Sequence, residues 1–305
     1  MHRPKQGRTL PFHFTTKAPA MKKRHIVHIL LWVGLGLLLS DLIYRHGIEL
    51  LKVPTSSMEP TIHTGEFVLV NKFIPGPRYL VNDPDRYNRL FQTHPLQYND
   101  IIVFNFPEAD TIVPHKPGES YYLLRRQHPG LDTLLTSEHW GELQALEVNQ
   151  RPRMIKRIAA LPGDTLQIIR GQLHLNGHLQ ISPKQANDTL QPLAPGIPDP
   201  YVFPSSNNHR WNADNLGPFY LPRKGDAIAL TPDTYPLYSR IIRVFEGVNL
   251  QQRGSFFYLN NRPIKRYTFK MNYYWVHGDN RPRSFDSRYW GPVPENHIVG
   301  VVKHR

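Results

Sequence analysis

Residues 26–44 read IVHILLWVGLGLLLSDLIY, an apolar run with one acid and no lysine or arginine. Nineteen residues span roughly 28 Å as an α-helix, close to the apolar thickness of a bilayer, and predict one transmembrane helix. His28 and Asp41 fall near its ends, and Trp32 is the one aromatic of its first half. Beyond it the pattern shifts towards period two. Residues 65–73 (GEFVLVNKF) alternate around β-branched and aromatic positions and predict a strand entered through a glycine turn. Residues 100–106 (DIIVFNF) predict a strand buried on both faces. Residues 165–170 and 172–176 read as a hairpin closed at Arg170-Gly171, with Asn176-Gly177 as the next turn. Residues 273–281 (YYWVHGDNR) predict a strand running into a turn, and residues 297–302 a final strand. Past the anchor one further helix is predicted, over 131–148, with Leu134, Leu135, Leu143 and Leu146 as its stripe. Its Glu138 and His139 match no metal motif and are read as solvated.

These elements predict a mostly β chain: a basic tail (1–25), the anchor (26–44), and an antiparallel β core made of 47–180 and 271–305. Loop insertions at 74–98 and 107–153 interrupt that core, and 181–270 form an inserted β-rich subdomain whose first part, 181–222, is proline-rich and loop-like. The subdomain carries a possible repeat. Ser239-Arg240-Ile241-Ile242, Gly247, Leu250, Arg253-Gly254 and Leu259-Asn260 follow the order of Lys156-Arg157-Ile158-Ala159, Gly163, Leu166, Arg170-Gly171 and Leu175-Asn176, with one extra residue. The second copy has Ser239 where the first has Lys156.

Composition narrows the chemistry. No cysteine is present, so thiol nucleophiles, disulfides and thiolate metal sites are excluded. The net charge is +13, of which seven come from Arg3, Lys5, Arg8, Lys17, Lys22, Lys23 and Arg24, leaving six for the rest. A basic tail before the apolar run, with only Arg45 and Lys52 soon after it, predicts the N-terminus in the cytoplasm and the remainder outside. It fits a tail beside anionic lipid and disfavours a nucleic-acid partner. The segment after the apolar run lacks a small-residue cleavage site, so the anchor is read as uncleaved.

Two stretches carry the candidate chemistry. At 53–61, VPTSSMEPT sets three adjacent hydroxyls between prolines, which predicts a rigid extended loop; a plain linker is the alternative. At 154–164, MIKRIAALPGD embeds Lys156 among Ile155, Ile158 and Leu161. A free lysine titrates near 10.4, so roughly one in a thousand is unprotonated at about pH 7.4. Burial disfavours the ammonium and makes the amine usable as a base, at a folding cost on the order of 4 kcal/mol. An exposed strand lysine is the alternative.

Pro54-x-Ser56-Ser57-Met58-x-Pro60-Thr61, Gly65-Glu66-Phe67, Lys156-Arg157 before Leu161-Pro162-Gly163-Asp164, Gly278-Asp279-Asn280-Arg281 and Ser284-x-Asp286-Ser287-Arg288 together resemble bacterial type I signal peptidase, in that family's order. The resemblance covers about 47–73, 99–107, 153–180 and 273–302. It implies Ser57 as the acylating nucleophile, Lys156 as general base, and an oxyanion site shared by the Ser57 backbone N–H and the Thr55 hydroxyl. It further implies that Ser284 orients the lysine amine, that Arg157, Asp279, Asp286 and Arg288 support the site, and that Met58 belongs to the substrate-binding surface. The implied enzyme is a membrane-bound Ser/Lys endopeptidase of the bacterial cytoplasmic membrane. It cuts signal peptides from exported preproteins after a small-x-small site such as Ala-x-Ala, and needs no metal or organic cofactor. Its partners are those preproteins and the lipid bilayer. Glu66 stands where the family has aspartate, and Pro282-Arg283 stiffens the turn before Ser284. Rival readings are a specialised processing peptidase for few partners, an inactive membrane-anchored binding relative, and a self-cleaving repressor peptidase; the last is disfavoured by the membrane span.

Overall fold

A computed structural model describes residues 23–115, 120–127, 141–183, 186–187, 191–206 and 208–303. Residues up to 44 and residues 45–305 form two separate units. The helix Lys23–His46 runs 24 residues, about 36 Å at 1.5 Å per residue, and extends the apolar run at both ends. Leu30, Leu31, Trp32 and Leu37 are all more than half exposed among the described residues. The helix is long and apolar enough to cross a membrane.

The second unit is built on a seven-stranded antiparallel sheet. Its strands run in the order Ile48–Lys52, Phe67–Asn71, Ile298–Lys303, Ile101–Asn105, Arg153–Ala160, Tyr273–His277 and Val293–Pro294. The Ile101–Asn105 strand lies centrally and all five of its residues are buried, as its continuous apolar pattern requires. Ile101 and Val103 pack with Val53, Met58, Ile62, Val68, Val70 and Ile155. Ile102 and Phe104 pack on the other face with Ile158, Val276, Trp290 and Ile298. Burying this sheet twice over gives rigid backbone on either side of Arg153–Ala160, which holds the predicted base.

A third apolar cluster joins Ala160, Leu166, Tyr273 and Trp275 to Phe219, Leu237, Ile242, Phe257 and Phe269. Beside it Thr165–Ile169, Gln172–Leu175 and His178–Leu179 form a meander, closed at Arg170 and Gly171 in left-handed backbone. Leu216–Tyr220 pairs with Thr165–Ile169 inside a segment whose prolines predict loop. The pairing is broken by a bulge at Gly217 and Pro218, and bulges and outer strands are where a sheet tolerates proline, which has no N–H to give to the ladder.

The repeat holds in part. Leu250–Arg253, Phe256–Leu259 and Arg262–Ile264 form a second meander, and its Leu250 and Leu259 pair just as Leu166 and Leu175 do in the first. Upstream the copies diverge. Lys156–Ala159 is strand, whereas Thr234–Arg240 is helix and Ile241–Phe245 a wide helical turn. Only the meander is repeated. For the expected helix over 131–148, residues up to 140 lie outside the described ones. The remainder holds a strand, Gln144–Ala145, paired with Thr111–Ile112, in place of helix. Among the described residues of the segment, Tyr121–Gln127 is α-helix.

Candidate active site

Thr55 and Glu59 are extended, but Ser56–Met58 between them make one tight helical turn, not the extended loop expected of flanking prolines. Glu59 N–H closes that turn on the Ser56 carbonyl at 3.1 Å. The turn points Met58 into the core, where it is 1% exposed, and leaves Ser57 facing Lys156.

Lys156 stands opposite Ile102 on the central sheet and is 2% exposed. Its Nζ is 2.5 Å from Ser57 Oγ and donates to the Ile155 carbonyl at 3.2 Å. Burial pushes its pKa down from 10.5 to about 8; Asp286 and Asp279 pull it up and Arg288 pushes it down further. At pH 7 about a tenth of the amine is therefore free to take a proton, against well under a thousandth at the ordinary lysine value. The Thr55 hydroxyl lies 3.4 Å from Ser57 Oγ. Backbone N–H groups in the first turn of a helix have no intrahelical acceptor, so the turn orients donors beside the serine. A cleft of about 120 Å³ opens here, lined by Val53, Pro54, Thr55, Met58, Ile155 and Lys156 among others.

The supporting residues form two buried ion pairs. Arg157, the next residue of the strand, grips Asp279 with two nitrogens at 2.8 and 2.6 Å, and Thr61 donates to the same carboxylate at 2.5 Å. Asp286 accepts from Arg288 Nε at 2.8 Å and Nη2 at 3.0 Å, and from Gly278 N–H at 3.1 Å. Burial pushes the Asp286 carboxyl up, but the Arg288 charge, His277 and these hydrogen bonds hold it well below the usual carboxylate range. Ser284 is 4% exposed and its hydroxyl donates to Asp286 at 2.7 Å, not to the lysine. The predicted direct bond to Lys156 is not made: the Ser284 proton goes to the buried carboxylate, and the Lys156 amine goes to Ser57 and the Ile155 carbonyl.

Asn280 and Gly278 are the functional residues that the reading of single side chains passed over. Asn280 N–H donates to the Ser57 carbonyl at 3.1 Å and its Nδ2 to the Ser56 carbonyl at 3.2 Å, clamping the serine turn. At Gly278 a Cβ would meet Ser284 Oγ at 2.2 Å and the Ser57 carbonyl at 2.5 Å, so only glycine fits. Both lie in the Gly-Asp-Asn-Arg box, whose clustering was the signal; what each does depended on which backbone it would meet. Among the described residues no group of side chains could hold a metal ion.

A lysine amine against a serine hydroxyl, on an antiparallel β scaffold, is the equipment of a hydrolase that works through an acyl intermediate. The family model for signal peptidase, peptidase S26, matches residues 23–305. The chain belongs to this family, and its class is that of the family, serine endopeptidases that hydrolyse peptide bonds. Similar proteins include the signal peptidase I of Buchnera aphidicola subsp. Acyrthosiphon pisum, 26% identical over 83% of this chain and 66% of that protein. Another is the signal peptidase I of Haemophilus influenzae, 26% identical over 84% of this chain and 62% of that one. The chain thus spans about two thirds of the length of these two relatives. A crystal structure of a signal peptidase I from Enterococcus faecalis V583 matches 68% of this chain and 97% of that one, at 17% identity and a TM-score of 0.26.

Proposed function

We propose that the chain is a membrane-anchored endopeptidase that removes signal peptides from exported preproteins, with Ser57 as nucleophile and Lys156 as general base. The observation that carries this reading is the 2.5 Å approach of a buried lysine amine to a serine hydroxyl. The neutral amine takes the Ser57 proton as Oγ attacks the scissile carbonyl. The Ser57 N–H and the Thr55 hydroxyl receive the oxyanion, each worth about 3–4 kcal/mol of barrier. The lysine then returns the proton to the leaving amine, and water repeats the sequence on the ester. A small apolar cleft beside Ser57 suits a small-x-small motif bound as an extended strand, read through alternate side chains. The helix Lys23–His46 anchors the enzyme with its basic N-terminus in the cytoplasm and residues 45–305 outside.

Purified wild type should cleave a model preprotein, and Ser57→Ala and Lys156→Ala should each lose activity by at least a thousandfold. Undiminished processing by either variant rules the dyad out. A reporter fused after Arg305 should be active only outside the cytoplasm.

A further inference from the structure

We propose a second site, for the phosphodiester of a lipid headgroup, in the pocket at the start of the sheet. The pocket holds about 210 Å³ and is lined by His46, Lys72, Arg78, Asn149 and Arg153, together with Pro77 and Val299. At about 30 Å³ per water it has room for roughly seven, enough for a hydrated phosphate.

Its charge is one-sided. Glu49 is shared between Lys72 at 2.9 Å and Arg153 at 2.5 Å, so one carboxylate serves two cations. Arg78 donates only to uncharged oxygens, of Asn105, Asn149, Asn296 and His297. Burial, and after it the charges of Arg89 and Arg153, push the Arg78 pKa down to about 9. A phosphate oxygen would bring further negative charge to these cations and accept from Lys72 and Arg153 together.

The occupant follows from the chain. His46 is the last residue of the helix that is long and apolar enough to cross a membrane, so lipid phosphates are the anions such a chain meets at this residue. Arg153 lines both this pocket and the cleft beside Ser57. A bound headgroup would therefore fix the height of the cleft relative to the bilayer surface.

The full chain in neutral detergent would be titrated calorimetrically with dihexanoylphosphatidylglycerol, dihexanoylglycerol and inorganic phosphate. Wild type should bind the phospholipid and not the phosphate-free lipid. Lys72→Gln should weaken binding about tenfold, the value of one charge-assisted hydrogen bond, and Glu49→Gln should tighten it by removing the carboxylate that competes for Lys72 and Arg153. Equal binding by wild type and both variants, or no binding of the phospholipid, overturns the site. Inorganic phosphate binding as tightly as the phospholipid overturns the lipid assignment. Loss of the proposed peptidase chemistry would show in Ser57→Ala and leave this titration unmoved.

Discussion

The proposed chemistry requires Lys156 to be buried and yet a base, and that conflict has a measurable cost. With the folded pKa near 8 and the free value at 10.5, burying the ammonium costs about 3.5 kcal/mol. The folded pKa is depressed, so between pH 8 and 10.5 the unfolded chain holds a proton that the folded one lacks. Stability therefore rises with pH across that window, and the full penalty is present below it. Lys156→Met removes the charge and keeps the length. It should abolish cleavage and make the protein about 3.5 kcal/mol more stable at pH 6.5, with the advantage falling by about 2 kcal/mol by pH 9.5. Trp275 and Trp290, both buried, report unfolding by fluorescence in a urea titration. Other titrations cancel in the difference between the two proteins. A difference that does not change with pH would refute the claim that burial depresses this lysine.

The same pKa predicts that kcat/KM climbs with pH and levels off above about 8, since the neutral amine is the active form; a plateau already reached at pH 6 would exclude Lys156 as the titrating base. Gly278→Ala should cut kcat by about a hundredfold with little change in KM, because its Cβ collides with the Ser57 carbonyl and moves the nucleophile. Asp279→Asn should destabilise the fold by about 3 kcal/mol, read by denaturation, since it leaves the Arg157 guanidinium mostly buried without its carboxylate. Ser56→Ala should keep near-full activity, as the backbone carbonyl and not the hydroxyl of Ser56 accepts from Glu59 and Asn280.

What could be read ahead of the structure was what short stretches carry by themselves. The Ile101–Asn105 strand shows in its unbroken apolar run, and the Ser57 and Lys156 pair in motifs a hundred residues apart that one sheet joins. Proline concealed other elements in opposite ways. Pro54 and Pro60 imply extended chain, yet a single helical turn of Ser56–Met58 fits between them because neither proline falls within it. Pro236 lies in the first turn of Thr234–Arg240, where its missing N–H costs no helical bond, so the helix there left no sequence signal. The partner of Ser284 was invisible for another reason. A hydroxyl chooses among acceptors by distance and charge, and sequence order gives neither.

That choice bears on how the base is held, and a double-mutant cycle decides it. Ser284 donates to Asp286, and Asp286 is the strongest charge keeping the Lys156 pKa from falling further. If Ser284 acts through the carboxylate, Ser284→Ala removes one bond to an ion and costs about 1.5–3 kcal/mol of stability. Asp286→Asn should shift the limb of kcat/KM to lower pH, since it withdraws the charge that favours the ammonium. Adding Ser284→Ala to Asp286→Asn should then change the pH profile no further, because the group it acted through is already neutral. If Ser284→Ala instead lowers kcat equally in both backgrounds, the hydroxyl reaches the lysine in the working enzyme, and its bond to Asp286 is a resting arrangement that substrate displaces.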